Sequence, residues 1–342
     1  MPSNTAAVLT AVKTPFEIKE HPYPEPKDHE VVVRARALAL NPADWAQQAF
    51  GPAFFLGMTL PCVVGGDVAG DVEQVGAKVE GIRPGDRVAG LSTAAFQHHV
   101  LLPDHMLTPI PDALSYEQAS VLPLTLSTAV KALFHPDYLG MRVPAAAGPR
   151  AEPTGETVLI WGASTSVGSS AIQLAVAAGY EVITTASPGN FARAKRLGAS
   201  AVFDYNSPTV KEDLVAAFRG KRTAGAVPNA GLDFSVYPAV IDACAVVVAS
   251  VPGKKFLACT MARPNLDELP EGVEGKFVDV LRPDTELAYK IYREYLPAAL
   301  ADGSFVAEPK AQVIGKGLEA IQGGLDQFQS KVLSATKLVV TL

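Results

Sequence analysis

The 342-residue sequence predicts an α/β protein of two lobes, one rich in β-structure and one built on a doubly wound parallel sheet. The length is about twice that of a typical domain of roughly 150 residues. Short β-branched stretches alternate with Pro and Gly through the first third, the pattern of turns between strands. From Glu156 onward, wholly apolar strands alternate with helical patterns, as in a parallel sheet covered on both faces.

Along the chain, strands are expected at residues 6–11, 30–40, 61–75 and 86–89. A helix over 116–134 follows, with Ser115 as its N-cap and Glu117 and Gln118 in its first turn. Residues 135–155 hold Pro136, Pro144, Pro149 and Pro153, which continue neither a helix nor a central strand, so an exposed loop is expected. The βα alternation then predicts strand 157–161, helix 166–178, strand 181–185, helix 191–197 and strand 201–203, with further strands at 245–251 and 255–258. A helix over 285–300 and a strand over 336–341 close the chain. Residues 45–60 carry Phe50, Phe54, Phe55, Leu56 and Met58 around Gly51, Pro52 and Gly57, too broken for a regular helix or strand and too apolar for an open loop. With Trp45 they are candidates for lining an apolar substrate pocket, the alternative being a loop folded onto the core of its own lobe.

Composition excludes several classes. With 48% hydrophobic and 19% charged residues the chain has ample material for a core. A net charge of -6 leaves no basic footprint for nucleic acid or anionic lipid. No apolar run approaches the ~20 residues needed to span a bilayer, and no basic-then-apolar leader opens the sequence, so a cytoplasmic location is the default expectation. Cys62, Cys244 and Cys259 stand far apart, without the paired spacing of a disulfide framework or a zinc lobe.

The chemistry concentrates at Gly162-Ala163-Ser164-Thr165-Ser166-Val167-Gly168, which follows an apolar strand and opens a helix. Backbone N–H groups at such a turn point toward a pyrophosphate, and the positive helix end adds to the attraction. The middle glycine of the dinucleotide fingerprint is Thr165 here, so the hydroxyls of Ser164, Thr165 and Ser166 are expected to supplement the backbone donors. An ordinary βα turn of small residues is the alternative. NAD-binding proteins place an acid at the end of the next strand, where it accepts from the ribose hydroxyl. This chain has Thr184-Thr185-Ala186-Ser187 there and Arg193, Lys195 and Arg196 on the following helix, which predicts NADPH, with a solvated basic face as the alternative.

Four segments make a specific resemblance: Asn41-Pro42-Ala43-Asp44-Trp45, Gly65-Gly66-Asp67-Val68-Ala69-Gly70, Gly85-Asp86-Arg87-Val88-Ala89-Gly90 and Leu122-Pro123-Leu124-Thr125. In this order they resemble the medium-chain dehydrogenase/reductase superfamily. Gly179-Tyr180, Ser187-Pro188-Gly189-Asn190-Phe191, Leu197-Gly198-Ala199, Phe203-Asp204-Tyr205, residues 317–322, Lys331-Val332 and Lys337-Leu338-Val339 are similar to its fungal branch of trans-acting enoyl reductases of polyketide synthases, the lovastatin enoyl reductase-like group. The resemblance implies a GroES-like catalytic lobe from residues 1–126 and 304–342 around a Rossmann NADPH-binding lobe of residues 127–303. It adds Asn190 and Tyr205 to the cofactor candidates, and sets Asn41, Thr125 and Thr128 beside the nicotinamide as candidate catalytic donors, with capping of backbone groups as their alternative role.

Zinc members of the superfamily carry a Cys where this chain has Asn41 to Trp45, and Gly-His-Glu where it has Gly65-Gly66-Asp67; the ligand set is missing, and no metal is expected. Adjacent His98 and His99 point in different directions on a strand and supply no substitute. Many relatives continue Asp-Trp with Lys, and this chain has Ala46, so no lysine contact to substrate carries over. The expected activity is NADPH-dependent reduction of the C=C bond of an α,β-unsaturated carbonyl, an enone or an acyl thioester on the acyl carrier domain of a polyketide synthase, by a monomer or weak homodimer. A quinone or small-enone reductase of the same fold and a non-catalytic NADPH-binding protein are the alternatives.

Overall fold

The computed structural model describes residues 3–55, 57–146, 151–231, 233–261, 265–280, 284–330 and 333–342. Leu56, residues 147–150 with Pro149, Lys331 and Val332 therefore lie outside the described residues. The chain divides into two compact units, Met1–Leu124 with Tyr292–Leu342, and Thr125–Ile291.

The first segment runs β1 (Asn4–Leu9), β2 (Glu17–His21), β3 (Glu30–Ala39), α1 (Pro42–Phe50), β4 (Cys62–Val63), β5 (Asp67–Val75), β6 (Arg87–Leu91), β7 (His99–Pro103) and β8 (Leu107–Pro109). Helices α2 (Tyr116–Ser120) and α3 (Pro123–Phe134) follow. The middle holds β9 (Glu156–Ile160), α4 (Ser166–Ala177), β10 (Glu181–Ala186), α5 (Phe191–Arg196), β11 (Ala201–Asp204), α6 (Val210–Phe218), β12 (Arg222–Val227), α7 (Tyr237–Ala249), β13 (Phe256–Cys259) and β14 (Glu274–Phe277). The chain ends through α8 (Thr285–Tyr289), a π turn (Lys290–Tyr295), α9 (Leu296–Ala301), β15 (Lys310–Lys316), α10 (Ala320–Ser330) and β16 (Thr336–Thr341).

In the first unit the sheet order is β15-β16-β3-β5-β6-β8, with β7 on β3, and a second sheet runs β2-β1-β4. Its core joins Val31, Val33, Leu38, Val68 and Phe96 to Leu338 and Val340, so both chain ends close one apolar cluster. In the second unit six strands run in the order β11-β10-β9-β12-β13-β14 with every pair parallel. Counted from β9 this is 3-2-1-4-5-6, the dinucleotide-binding order, which reverses between β9 and β12. Val158, Leu159 and Ile160 are fully buried, as a central parallel strand requires.

Four expectations are corrected. Residues 245–251 belong largely to α7, not a strand: Val240, Ile241, Cys244, Ala245, Val247 and Val248 are all buried. A helix covered on nearly every side shows no period, so an excerpt of it reads like a buried strand. The helix expected over 116–134 is two helices, because Pro123 starts a new one; Ser115 does cap the first, accepting from Gln118 N–H. The 135–155 connection is not wholly exposed, since Tyr138, Leu139 and Met141 are buried and Arg142 N–H donates to Tyr180 Oη at 2.9 Å. Residues 45–50 are helical, within α1, whose polar face buries Asp44 and Gln48.

Candidate active site

The second unit builds its site at the point where the strand order reverses. After β9 the backbone turns through Gly162 at φ +83°, where a Cβ would lie 2.5 Å from Asn229 O. A Cβ on Gly168 would lie 2.2 Å from Gly162 O. Both glycines are thus demanded by close backbone packing before any nucleotide is considered. Gly162 N–H donates to Thr185 Oγ1 at 3.1 Å and Ala163 N–H to Thr185 O at 2.8 Å, which ties the turn to the end of β10.

Thr165 is the N-cap of α4. Its Oγ1 donates to Gly162 O at 2.9 Å and accepts from Gly168 N–H and Asn229 Nδ2, each at 2.9 Å. The expectation that this hydroxyl supplements the phosphate donors is therefore corrected: all its bonding capacity holds the turn in shape. Ser164 differs, because its Oγ is buried with no hydrogen-bond partner. A buried orphan hydroxyl beside the first-turn N–H groups of Ser166 and Val167, which have no intrahelical acceptor, is a donor set suited to anionic oxygens. The turn residues fit a dinucleotide diphosphate.

The pairing of Ala186 with Asp204 puts Ser187 and Tyr205 at adjacent strand ends. Asn190 Nδ2 donates to Ser187 Oγ at 3.0 Å, and Tyr205 and Lys195 are exposed. Thr184 and Thr185 are fully buried, and Thr184 Oγ1 donates to Ile160 O, so the end of β10 offers hydroxyls and no carboxylate.

In the first unit, β3, β5 and β16 bring together a buried ionic cluster. Ala39 pairs with both Asp67 and Val339, which sets the end of β3 between the other two strands. Lys337 Nζ donates to Asp67 Oδ2 at 2.6 Å and to Asn41 Oδ1 at 2.7 Å. Asn41 Nδ2 donates to the same Asp67 Oδ2 at 3.0 Å, and Leu124 N–H to Asp67 Oδ1 at 2.6 Å. Asn41 N–H donates to Asp44 Oδ2 at 2.7 Å. None of the four side-chain owners is more than 4% exposed. Burial pushes the Asp44 carboxyl up to about 7; the Asn41 N–H opposes the rise and the Asp67 charge adds to it.

A model of the alcohol dehydrogenase GroES-like domain matches residues 27–112. The dehydrogenase azaJ of Aspergillus niger is 46% identical, across 100% of this chain and 100% of its own. The chain belongs to the medium-chain dehydrogenase/reductase superfamily. The trans-enoyl reductase himH of Aspergillus japonicus, also similar, is 34% identical across 92% of this chain and 90% of its own. Among solved structures the CurK enoyl reductase superposes with a TM-score of 0.75 at 22% identity, over 99% of each chain. Membership of the medium-chain superfamily makes the chain an oxidoreductase, and the Rossmann-type second unit implies a nicotinamide cofactor.

Asn41 is fully buried, its Oδ1 accepting from Lys337 and one Nδ2 N–H donating to Asp67, so the expectation that it donates to a substrate oxygen is corrected by its burial in this cluster. Thr125 and Thr128 lie three residues apart on α3, both buried. Trp45, Phe50, Phe54 and Phe55 form a chain of ring contacts at 5.8, 5.7 and 5.2 Å, with Phe50 46% exposed; Trp45 and Met58 rest against the core of the unit. His99 Nε2 lies 3.3 Å from Glu73 Oε2, and burial lowers its pKa. No three His, Cys, Asp or Glu side chains are grouped to hold a metal among the described residues, nor is any helix there long and apolar enough to cross a membrane. Sequence reasoning missed Lys337 as part of this cluster. Its signal was a lone charge within the apolar strand Leu338-Val339-Val340, which is readable as buried only once β15 and β3 are known to flank it.

Proposed function

We propose that the protein is an NADPH-dependent reductase of the C=C bond of an α,β-unsaturated carbonyl, acting on a polyketide enoyl thioester presented by an acyl carrier domain in the cytoplasm. The observation that carries the nucleotide part is the turn from Gly162 to Gly168, with the orphan Ser164 hydroxyl and the bare N–H groups of Ser166 and Val167. NADPH is favoured over NADH because no carboxylate stands at the end of β10, where Ser187 and Asn190 offer a hydroxyl and an amide, and Lys195 is exposed on the helix that follows. The enoyl part is supported by a relative named trans-enoyl reductase at 34% identity across nearly the whole chain.

A dinucleotide held at this turn would supply the hydride. The chain contributes the diphosphate cradle on α4 and, on α3, the Thr125 and Thr128 hydroxyls as candidate donors to the enolate oxygen that develops during conjugate reduction. Where the resemblance places the ligands of zinc members, this chain has the Asn41 to Trp45 segment and Gly65-Gly66-Asp67, which offer neither the Cys nor the His, and this supports zinc-independent turnover. The test is cofactor oxidation by the purified protein with an enoyl thioester of pantetheine, a small enone, a quinone and an aldehyde, each with NADPH and NADH. Enoyl thioester reduction with NADPH preferred at least tenfold supports the reading. Turnover of aldehyde alone, loss of turnover in chelator, or equal use of NADH overturns it.

A further inference from the structure

Of the three basic residues on α5, Lys195 and Arg196 are exposed and Arg193 is drawn inward. Its Nη1 donates to Ala163 O at 3.2 Å and its Nη2 to Ser169 Oγ at 2.8 Å. Ser169 is fully buried, and its hydroxyl is also within reach of Thr165 O at 2.6 Å and Ala163 O at 3.2 Å. One guanidinium thus joins three elements: α5, the turn after β9, and the first turn of α4.

The consequence follows from the planarity of the peptide bond. The carbonyl of Ala163 and the N–H of Ser164 belong to one trans peptide, so they point in opposite directions. Holding the Ala163 carbonyl toward α5 turns the Ser164 N–H away from it, and Ser164 is the residue whose hydroxyl is buried without a partner. The other end of the same residue pair is held by Thr185, which accepts from Ala163 N–H at 2.8 Å. With its N–H on β10 and its carbonyl on α5, Ala163 has no freedom to rotate either flanking peptide. A guanidinium performs this task because it is a planar fork whose two donors reach two acceptors at fixed separation, and its charge strengthens both bonds.

We propose that Arg193 is a positioning residue for the diphosphate of the dinucleotide, acting through the Ala163–Ser164 peptide, and that it does not read the 2'-phosphate. This rests on the nucleotide-binding reading above. The diphosphate is common to NADPH and NADH, so loss of the clamp weakens both equally, whereas loss of a residue that reads the 2'-phosphate changes their ratio.

The experiment titrates NADPH and NADH against the full chain carrying Arg193→Leu, Arg193→Lys, Ser169→Ala or Lys195→Ala, with the melting temperature of each cofactor-free protein measured alongside. Arg193→Leu is expected to weaken both cofactors by the same factor, about tenfold to a hundredfold for the loss of two charge-assisted bonds. Arg193→Lys keeps the charge but loses the fork, and is expected to remain weak. Ser169→Ala removes one arm with little change of volume; it is expected to show a smaller, equally uniform loss, and serves if Arg193→Leu fails to fold. Lys195→Ala is expected to lower the NADPH to NADH ratio instead. A selective loss of NADPH affinity in Arg193→Leu, full rescue by Arg193→Lys, or unchanged affinity for both cofactors in the Arg193→Leu and Ser169→Ala variants would overturn the proposal. If the unsubstituted protein binds neither dinucleotide, the nucleotide reading itself falls and the proposal with it, an outcome separate from the others.

Discussion

Replacing Lys337 with Met tests the central claim about the first unit, that one buried ammonium holds three strand ends together. The substitution keeps most of the volume and removes a donor that lies 2.6 Å from Asp67 Oδ2 and 2.7 Å from Asn41 Oδ1. Asp67 retains Asn41 Nδ2 at 3.0 Å and the Leu124 N–H at 2.6 Å, but neither carries a charge. Its carboxylate is then buried without a counter-ion, and breaking a buried pair by removing one partner costs about 3–5 kcal/mol. That is a large part of the ~5–15 kcal/mol that separates a folded domain from its unfolded chain. The double variant Asp67→Asn with Lys337→Met leaves no buried charge from the pair, so its loss should be smaller than the sum of the two single losses by at least about 1 kcal/mol. Urea unfolding followed by tryptophan fluorescence suits the question, because the chain has two tryptophans and one falls in each unit, Trp45 in the first and Trp161 in the second. In a Trp161→Phe background the signal reports the first unit alone. A Lys337→Met protein within about 1 kcal/mol of its parent, or strict additivity in the double variant, would refute the idea that the pair is a coupled buried unit.

Asp44 makes stability depend on pH. Its folded-state carboxyl titrates near 7 against an ordinary 3.8, so the folded protein binds the proton more tightly. That contribution is complete below the ordinary value and is lost as pH rises toward about 7. Asp44→Asn keeps an oxygen to accept from Asn41 N–H, so the difference in stability between the two proteins, followed by urea unfolding from pH 4 to pH 8, should shift in favour of Asp44→Asn as pH rises; a constant difference would contradict this. Ser166→Glu sets a carboxylate at the first helical position of α4, which the helix end tolerates and a diphosphate does not. NADPH affinity should collapse while the cofactor-free melting temperature changes little, and unchanged affinity in a folded variant would place the nucleotide elsewhere. Gly168→Ala puts a Cβ 2.2 Å from Gly162 O, so it should lower the cofactor-free melting temperature as well as NADPH affinity. A variant that loses affinity alone would show that the glycine serves only the ligand.

The repeating βα grammar from Glu156 and the turn beginning at Gly162 were legible without coordinates, because parallel strands buried on both faces and a tight strand-to-helix turn each impose their residue types over a few consecutive positions. Ser115 as a cap was legible for the same reason, since capping is a contact between residues three apart. The helical state of residues 245–249 was not, because a helix apolar on every side leaves no period to read. The roles of Thr165 and Asn41 also lay beyond the sequence. Each has a polar side chain at a predicted motif, and only the placement of Asn229, 64 residues from Thr165, and of Lys337, 296 residues from Asn41, shows that the Thr165 hydroxyl is used up within the turn and that Asn41 is held in a fully buried cluster. By itself the sequence determined the class of fold, the glycine-bounded turn after β9 and the lack of an acid after β10, all properties of contiguous segments. The tertiary structure alone decided which polar groups near those segments are satisfied and which, like Ser164 Oγ, are not, because a hydrogen-bond partner is set by distance in space and the chain brings together residues its order keeps apart.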